Sequence, residues 1–321
     1  MLGYGVPVTR LDASVPRRPL AAALDAGDEV LLLGLTPPRE SVSAAEAARI
    51  AEVTLSRLAG VELDGLVLYD IDDEGDRNPN QRPFPYLPTM DPAAYHAGHL
   101  AAWRLPVVIY RCVGKYPAAD LSQWLDAVDT GQVMAVFVGP SSSTKPVRTR
   151  LDEAHALRDR LRPSLTLGGV TITERYTRRG DEHLRMLAKQ DRGNSFFISQ
   201  VVYHVDATKS LLSDYFYACA QRGVRPRPVL FTLSVCGSLK TLAFLRWLGV
   251  DIPRWLENSL SRSADPLTES YEQCLANARE LAAFCRRLGM PFGFNVESVS
   301  IRKAEIDASI QLAKEVRTLL R

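Results

Sequence analysis

The amino-acid sequence predicts a closed (β/α)8 TIM barrel, an α/β fold in which eight parallel strands each lead into a helix. Short apolar segments alternate with helical segments eight times, from about Val30 to the C-terminus. The apolar segments are rich in Val, Ile, Leu and Phe, which is typical of strands buried on both faces. A doubly wound open sheet is disfavoured, because no G-x-G-x-x-G or G-x-x-x-x-G-K-[ST] loop follows a strand.

Four strand–helix units account for the first half of the chain. The VLLL run at Val30 predicts the first strand, and the helix after it begins at Ser43, which forms a capping-box pattern with Glu46. The predicted strands are residues 30–33, 66–69, 106–110 and 133–138, and the predicted helices are residues 43–58, 91–103, 121–128 and 151–161.

Four further units fill the second half. The helix over residues 207–221 is expected to end before Gly223, because glycine commonly stops helices. We expect a single barrel domain over residues 1–321, with an N-terminal extension (about 1–28) and extra helices between strands seven and eight (about 253–288). The predicted strands are residues 165–170, 196–202, 229–233 and 292–296, and the predicted helices are residues 181–189, 207–221, 238–248, 253–261, 267–288 and 303–320.

Charge and composition exclude several classes of function. The 39 basic and 37 acidic residues nearly balance, which gives no support to nucleic-acid binding. No apolar run approaches the roughly 20 residues that span a bilayer, and the start lacks a signal-peptide pattern, so we expect a cytoplasmic protein without a membrane partner. The five cysteines are widely spaced without a C-x-x-C pair, and the histidines do not cluster with acids. We therefore expect buried thiols and no metal site.

The end of the sixth strand carries the most informative side chain. Gln200 lies in the apolar run FISQVVY, and a buried amide without partners costs about 1–3 kcal/mol, so a ligand is a natural partner. In a (β/α)8 barrel the active site lies where the strands end. Polar side chains at these ends predict a substrate site built from Gln200, Tyr203, Ser234 and Asn295.

Three other features admit two interpretations each. The acidic run at residues 70–74 either pairs with nearby arginines or directs Asp72 or Glu74 at the substrate; EF-hand spacing is absent. Gly168 allows either close approach of a ligand or tight packing of the fifth strand. Glu182, Arg185 and Lys189 share one side of a helix, which is either a solvated face or a contact for ribose and diphosphate.

Several segments together resemble the methylenetetrahydrofolate reductase family. The run FISQVVY at residues 197–203, followed by Val205-Asp206, resembles the family's "ITQxxxDx" strand, and TPPR at residues 36–39 resembles its "FFPP(R/K)". GVDIP at residues 249–253 resembles its "GI-x-I-P" stretch. The order and spacing of these segments agree with one another from Val30 to the C-terminus.

The resemblance implies a barrel that binds FAD and reduces 5,10-methylenetetrahydrofolate to 5-methyltetrahydrofolate with NAD(P)H. It implies that Gln200 holds the pterin of a small-molecule folate. A homo-oligomer or a partner protein is compatible with the sequence. By position in the family's FAD-binding stretches, the candidate cofactor residues are Tyr69, Tyr110, Gly139, Glu174 and Lys189. Four further candidates come from the strand ends and the helix face: Arg111, Gly168, Glu182 and Arg185.

The chain departs from the family at the catalytic acid. The family's first strand ends "FEFFPP", and its glutamate helps open the imidazolidine ring, but Gly34 stands at that position here. We expect Glu297, at the end of the eighth strand, to replace that acid, because the eighth strand neighbours the first; the alternative is an ion pair of Glu297 with Arg302 or Lys303. The missing acid also permits a folate-binding one-carbon protein that lacks the usual flavin reduction. Such a protein would be a flavin-independent reductase, a one-carbon transfer protein or a non-catalytic partner of another enzyme.

Overall fold

The computed structural model describes residues 18–140 and 146–321 and confirms the predicted fold. Eight parallel strands close into a barrel in the order β1-β2-β3-β4-β5-β6-β7-β8. The strands are β1 (Val30–Leu35), β2 (Gly65–Leu68), β3 (Val107–Cys112), β4 (Val133–Val138), β5 (Leu167–Thr171), β6 (Asn194–Val201), β7 (Val229–Ser234) and β8 (Phe292–Glu297).

Twelve α-helices in the described residues surround or close the barrel. All twelve are α1 (Leu20–Ala26), α2 (Ala44–Leu58), α3 (Pro92–His99), α4 (Ala118–Ala127), α5 (Leu151–Leu161), α6 (Thr173–Arg179), α7 (Glu182–Asp191), α8 (Val205–Gln221), α9 (Leu239–Trp247), α10 (Arg254–Arg262), α11 (Pro266–Leu288) and α12 (Lys303–Leu319). Ser43 accepts a hydrogen bond from the Glu46 N–H, as the capping pattern predicts. None of these helices combines the length and apolar character needed to cross a membrane.

Two apolar cores result from the alternation of side chains along each strand. The larger core lies between the barrel and the helices. The smaller core fills the barrel interior, and α1 closes its amino-terminal end with the buried side chains of Leu20 and Leu24. The inward-facing core residues of the strands include Val30, Leu32, Val67, Val108, Met134, Val136, Phe196, Ile198 and Leu230.

The sequence pattern did not predict two short α-helices, and one predicted helix is longer than the observed one. Helix α1 lies in the segment expected to be an extension, and α6 is a highly charged seven-residue helix that offers little apolar periodicity. The helix predicted over residues 91–103 ends at His99. All five cysteines are free and buried, as predicted.

Candidate active site at the mouth of the barrel

The carboxyl-terminal mouth of the barrel is polar, whereas its interior is apolar. Inward-facing positions alternate along each strand, and those nearest the mouth on β6, β7 and β8 carry a carboxyl, an amide or a hydroxyl group. Register pairing places Asn295 beside Thr232, and Glu297 beside both Ser234 and Gly34. The inward-facing polar residues on these strands are Gln200 on β6, Thr232 and Ser234 on β7, and Asn295 and Glu297 on β8.

Glu297 has the protonation behaviour of an acid that works near neutral pH. Burial raises the pKa of Glu297 from an ordinary value of 4.5 to about 7, although hydrogen bonds with Tyr69 and Asn295 act in the opposite direction. An acid with a pKa near the operating pH is effective in general acid–base catalysis. The side chain is partly buried, so it keeps access to the mouth.

Gly34 leaves the space that the Glu297 carboxyl fills. A Cβ atom built on Gly34 would lie 3.0 Å from the Cβ atom of Glu297, 3.3 Å from its Oε2 atom and 2.8 Å from the Cε2 atom of Tyr69. Real Cβ atoms almost never approach a neighbour below 3.0 Å. The acid on β8 therefore projects into the volume that a β1 side chain would otherwise occupy.

Among the described residues, the alternative ion pairs of Glu297 are not formed. Arg302 donates to the Gly237 carbonyl and to Glu305, and Lys303 pairs with Asp307 at 2.5 Å. Both cations are therefore committed to other acceptors. Glu297 meets the tyrosine hydroxyl and the asparagine amide instead.

A small polar network surrounds Glu297. The Asn295 amide nitrogen donates to the Tyr69 hydroxyl at 2.8 Å and to the Thr232 hydroxyl at 3.3 Å. Within the described parts of the chain, the buried Oδ1 atom of Asn295 and the buried Oγ atom of Ser234 have no hydrogen-bond partner. Unpaired buried polar atoms are uncommon, and two of them at one mouth indicate a site that takes polar ligands or water.

The side-chain amide of Gln200 makes one hydrogen bond within the described part of the chain. It faces inward and is half-buried, and its amide nitrogen donates to the Leu248 carbonyl at 3.3 Å. Its backbone carbonyl accepts from the Ser199 hydroxyl at 2.7 Å, but no hydrogen bond from residues 18–140 or 146–321 reaches the side-chain Oε1 atom. The amide is therefore held at the rim with an acceptor left for a ligand.

The structure does not place Tyr203 and Arg111 at the mouth with the other candidate residues, and a binding role for either stays a prediction. Tyr203 lies behind the barrel wall, where it is 2 % exposed and its hydroxyl donates to the Ser234 carbonyl at 2.6 Å. The Arg111 side chain points outward from β3, pairs with Asp91 at 2.5 Å and stacks on Tyr116. Both side chains serve the packing between strands and helices.

Tyr69 and Tyr110 pack against each other at the top of the interior core. Their ring centres are 4.9 Å apart, and burial raises the pKa of both hydroxyls. Tyr69 also contacts the Glu297 network through its hydroxyl. These rings therefore form one wall of the mouth.

Packing accounts for Gly168, and its assignment to a cofactor stays a prediction. A Cβ atom on Gly168 would lie 2.4 Å from the Cζ atom of Phe196, whose ring fills the barrel interior beside it. Gly139 differs, because no atom among those described lies within 4 Å of a Cβ built there. Residues 141–145, which follow Pro140, lie outside the described residues.

The charged side chains after β5 hold the strand end. The Glu182 carboxylate accepts from the Ile172 N–H at 3.0 Å, and Lys189 donates to the Val170 carbonyl. Burial raises the pKa of Glu182 and lowers the pKa of Lys189. Arg185 is exposed and pairs with Asp181 at 3.4 Å, so the three side chains do not form one ligand-facing row.

The acidic residues at positions 70–74 differ in their surroundings: one has a structural role, and another lines a cavity. Asp70, which the sequence did not single out, is buried and accepts from the Cys112 N–H at 2.8 Å, Lys115 at 2.5 Å and the Tyr116 hydroxyl at 2.8 Å. Asp72 lines a cavity of about 250 Å³ together with Lys115 and other residues. Glu74 is partly buried in the same loop. The direct contact of either acid with a substrate stays a prediction.

The long loop after β2 extends to the helix after β7. Asn78 donates to the Trp247 carbonyl at 2.9 Å, and the Trp247 ring nitrogen donates to the Asn80 carbonyl at 2.8 Å. The Arg82 guanidinium lies 5.1 Å from the centre of the Phe244 ring. The loop thereby bounds one side of the mouth.

The residues assigned to FAD do not fit one binding surface. Arg111 lies behind the wall, Phe196 fills the space beside Gly168, and Glu182 and Lys189 are engaged at the end of β5. A dinucleotide needs a continuous surface for its ring, riboses and phosphates. We therefore derive no step through FAD. In residues 18–140 and 146–321, no group of three or more His, Cys, Asp or Glu side chains could hold a metal ion.

Comparison with known proteins identifies a relative among the solved structures. No protein-family model matches the chain, and no curated protein matches it. A solved structure from Clostridium thermocellum superposes with a TM-score of 0.82 at 38 % identity, over 93 % of this chain and 99 % of that one. That protein is uncharacterised and binds two copies of 5-methyl-5,6,7,8-tetrahydrofolic acid.

More distant structures carry no functional argument. Dihydropteroate synthase from Thermus thermophilus gives a TM-score of 0.43 at 14 % identity, over 89 % of this chain and 93 % of that chain. Oxaloacetate acetylhydrolase gives 0.41 at 12 % identity, over 86 % and 78 %. The high identity over nearly the full length of both chains is decisive: this chain belongs to the same family as the Clostridium thermocellum protein.

Proposed function

We propose that the chain binds a reduced folate at the mouth of the barrel and reduces 5,10-methylenetetrahydrofolate to 5-methyltetrahydrofolate. The observation that carries the proposal is the 38 % identical relative, which binds 5-methyltetrahydrofolate, the product of that reaction. The polar mouth around Gln200 and Glu297 is the candidate site. NAD(P)H is the proposed source of the hydride.

The mouth offers groups that suit a pterin. A pterin ring carries ring N–H and amino donors beside carbonyl and ring-nitrogen acceptors. The free side-chain carbonyl oxygen of Gln200 and the unpaired Oδ1 atom of Asn295 can accept from the donors, and the Ser234 hydroxyl can donate to an acceptor. The Tyr69 ring supplies an apolar surface beside them.

Glu297 is the proposed proton donor. The C–N10 bond of the bridging methylene must break, because the product carries its methyl group on N5. Protonation of N10 by the Glu297 carboxyl makes N10 a leaving group and produces an N5 iminium ion. Hydride transfer from NAD(P)H to the iminium carbon then gives the methyl group and NAD(P)+, and solvent returns one proton to Glu297. A pKa near 7 supplies both protonation states of the carboxyl at neutral pH.

The hydride can pass directly from the reduced nicotinamide to the iminium carbon, because the nicotinamide donates two electrons with the hydride and the iminium carbon accepts both. This direct route is our proposal in preference to FAD, since the residues assigned to FAD do not share a surface. The absorbance of the purified protein tests it. Stoichiometric flavin that is required for turnover would contradict the direct route.

The experiment for the function measures turnover and binding separately. Nicotinamide oxidation with 5,10-methylenetetrahydrofolate is followed anaerobically, and folate affinity is measured by calorimetry. Glu297→Gln is expected to lose turnover by roughly 10²–10⁴-fold and to keep folate binding. Arg49→Ala, which removes an exposed side chain of α2, is the control. A wild-type protein with no affinity for 5-methyltetrahydrofolate would refute the proposal.

A second candidate function is folate binding without turnover. Gly34 favours this candidate, because it stands where the methylenetetrahydrofolate reductase family has its catalytic glutamate. The Clostridium thermocellum relative also favours it, because binding of the folate is all that is described for that protein. Wild-type protein that binds 5-methyltetrahydrofolate but oxidises neither NADH nor NADPH with the methylene form supports this candidate.

A further inference from the structure

A second cavity lies at the rim of the barrel, apart from the Glu297 network. Its volume is about 320 Å³, and it lies between α6 and the segment that connects α9 to α10. This connecting segment contains the GVDIP sequence, to which no role has been given above. The lining residues are Glu174, Thr177, Arg178, Arg246, Gly249, Val250, Asp251, Ile252 and Glu257.

Glu174 is the feature of this cavity that points to a ligand. The residue is 7 % exposed, and its Oε1 atom accepts from the Asp251 N–H at 3.0 Å. Its Oε2 atom is buried and has no hydrogen-bond partner among the described residues. Burial raises the pKa of Glu174, and a carboxylate left in this state gains free energy from any N–H donor that reaches it.

The other charged residues that line the cavity either have a side-chain partner or lie exposed at its edge. Asp251 is 2.7 Å from the Nδ1 atom of His204, and Arg246 pairs with Glu257 at 2.6 Å. Arg178 is exposed at the edge and acts electrostatically on Glu174. The cavity thus combines one unpaired carboxylate oxygen with an outer arginine that can turn toward an anionic group.

This cavity shares a wall with the mouth. Leu248, at the start of the connecting segment, accepts from the Gln200 amide, whereas Asp251 three residues later donates to Glu174. One face of the segment therefore contacts the candidate folate site and the other face contacts the cavity. Two ligands can bind on either side of this short piece of chain.

We propose that the cavity is a second reduced-folate site, in which Glu174 binds the donor edge of a pterin. A pterin presents adjacent ring N–H and amino donors, and a carboxylate accepts both. The anionic glutamate tail of the folate would then lie toward Arg178. The inference rests on the proposed folate function and assigns a place to the second of two bound molecules, the number found in the relative.

Calorimetry with 5-methyltetrahydrofolate tests the inference through its stoichiometry. Wild-type protein is expected to bind two equivalents, and Glu174→Gln to bind one. Gln200→Ala is expected to lose the other equivalent, and Arg178→Ala to weaken the second site by roughly tenfold through loss of a charge-assisted hydrogen bond. Glu305→Gln is the matched control, because it changes another buried glutamate that does not line the cavity.

The outcomes separate this inference from the proposed function. Two equivalents in Glu174→Gln with unchanged affinities overturn the second site. One equivalent in the wild type overturns it too, and leaves the proposed function standing. Loss of both equivalents in Glu174→Gln, at an unchanged melting temperature, would place Glu174 in the first site and overturn the arrangement. No binding by the wild type refutes both proposals.

Discussion

The partly buried acid Glu297 at the mouth makes the stability of the protein depend on pH. The unfolded chain releases the Glu297 proton near 4.5, and the folded chain releases it at about 7, so the folded state holds more protons between these values. Stability contributed by this group is therefore full below pH 4.5 and is lost as the pH rises to about 7. The shift corresponds to about 3 kcal/mol in total.

Glu297→Gln removes this dependence, because the amide does not ionise. Relative to the wild type, the variant should gain about 2–3 kcal/mol between about pH 5 and about pH 8. For a chain of 321 residues this corresponds to a relative rise in melting temperature of about 4 °C. Glu52→Gln, which changes an exposed residue of α2, is the control for the assay by thermal unfolding. If the stability of the wild type and that of Glu297→Gln changed in parallel with pH, the raised pKa of Glu297 would be refuted.

The same proton governs the proposed reaction. A general acid must be protonated, so turnover should fall as the pH rises through about 7. Exchanging the two positions, Gly34→Glu with Glu297→Gly, should recover part of the rate lost in Glu297→Gly alone, because both side chains project into one volume. Turnover of Glu297→Gln near that of the wild type would remove Glu297 from the mechanism.

Three further predictions concern the supporting structure, and each is measured by chemical unfolding. Gly34→Ala should destabilise the fold by about 1–3 kcal/mol, because its Cβ atom would overlap two side chains; an unchanged midpoint would contradict the packing described. Gly168→Ala should cost at least as much through its overlap with Phe196, whereas Gly139→Ala should be nearly neutral, and equal effects would contradict the packing assignment. Asp70→Ala should cost about 3–5 kcal/mol, because it leaves the Lys115 ammonium without its buried partner; a loss below about 1 kcal/mol would show that solvent replaces the carboxylate.

The fold could be predicted because its signal is repeated eight times. Each strand is a continuous apolar run, and an error in one unit does not alter the alternation of the others. Helix α6 was missed because its seven residues, TERYTRR, are mostly polar and are held by contacts to α8 and the end of β5. No periodicity in the sequence reports contacts of that kind.

The site was predicted only in part, because the prediction considered the type of each residue and not the direction of its side chain. Tyr110 and Arg111 are neighbours on one strand, so their side chains must point to opposite faces, and only Tyr110 faces the interior. Counting alternate positions from the interior core would have excluded Arg111. Gly168 could not be settled in this way, because the ring that requires the glycine comes from the next strand.

The position of the acid shows why comparison at equal sequence positions is insufficient in a closed barrel. Gly34 and Glu297 are separated by most of the chain but are register partners on adjacent parallel strands. Since β1 and β8 close the barrel on each other, their inward side chains compete for one volume at the mouth. A carboxyl can therefore be supplied from either strand, provided that the other strand carries a glycine. The glycine at position 34 is the residue that makes room for the carboxyl at position 297.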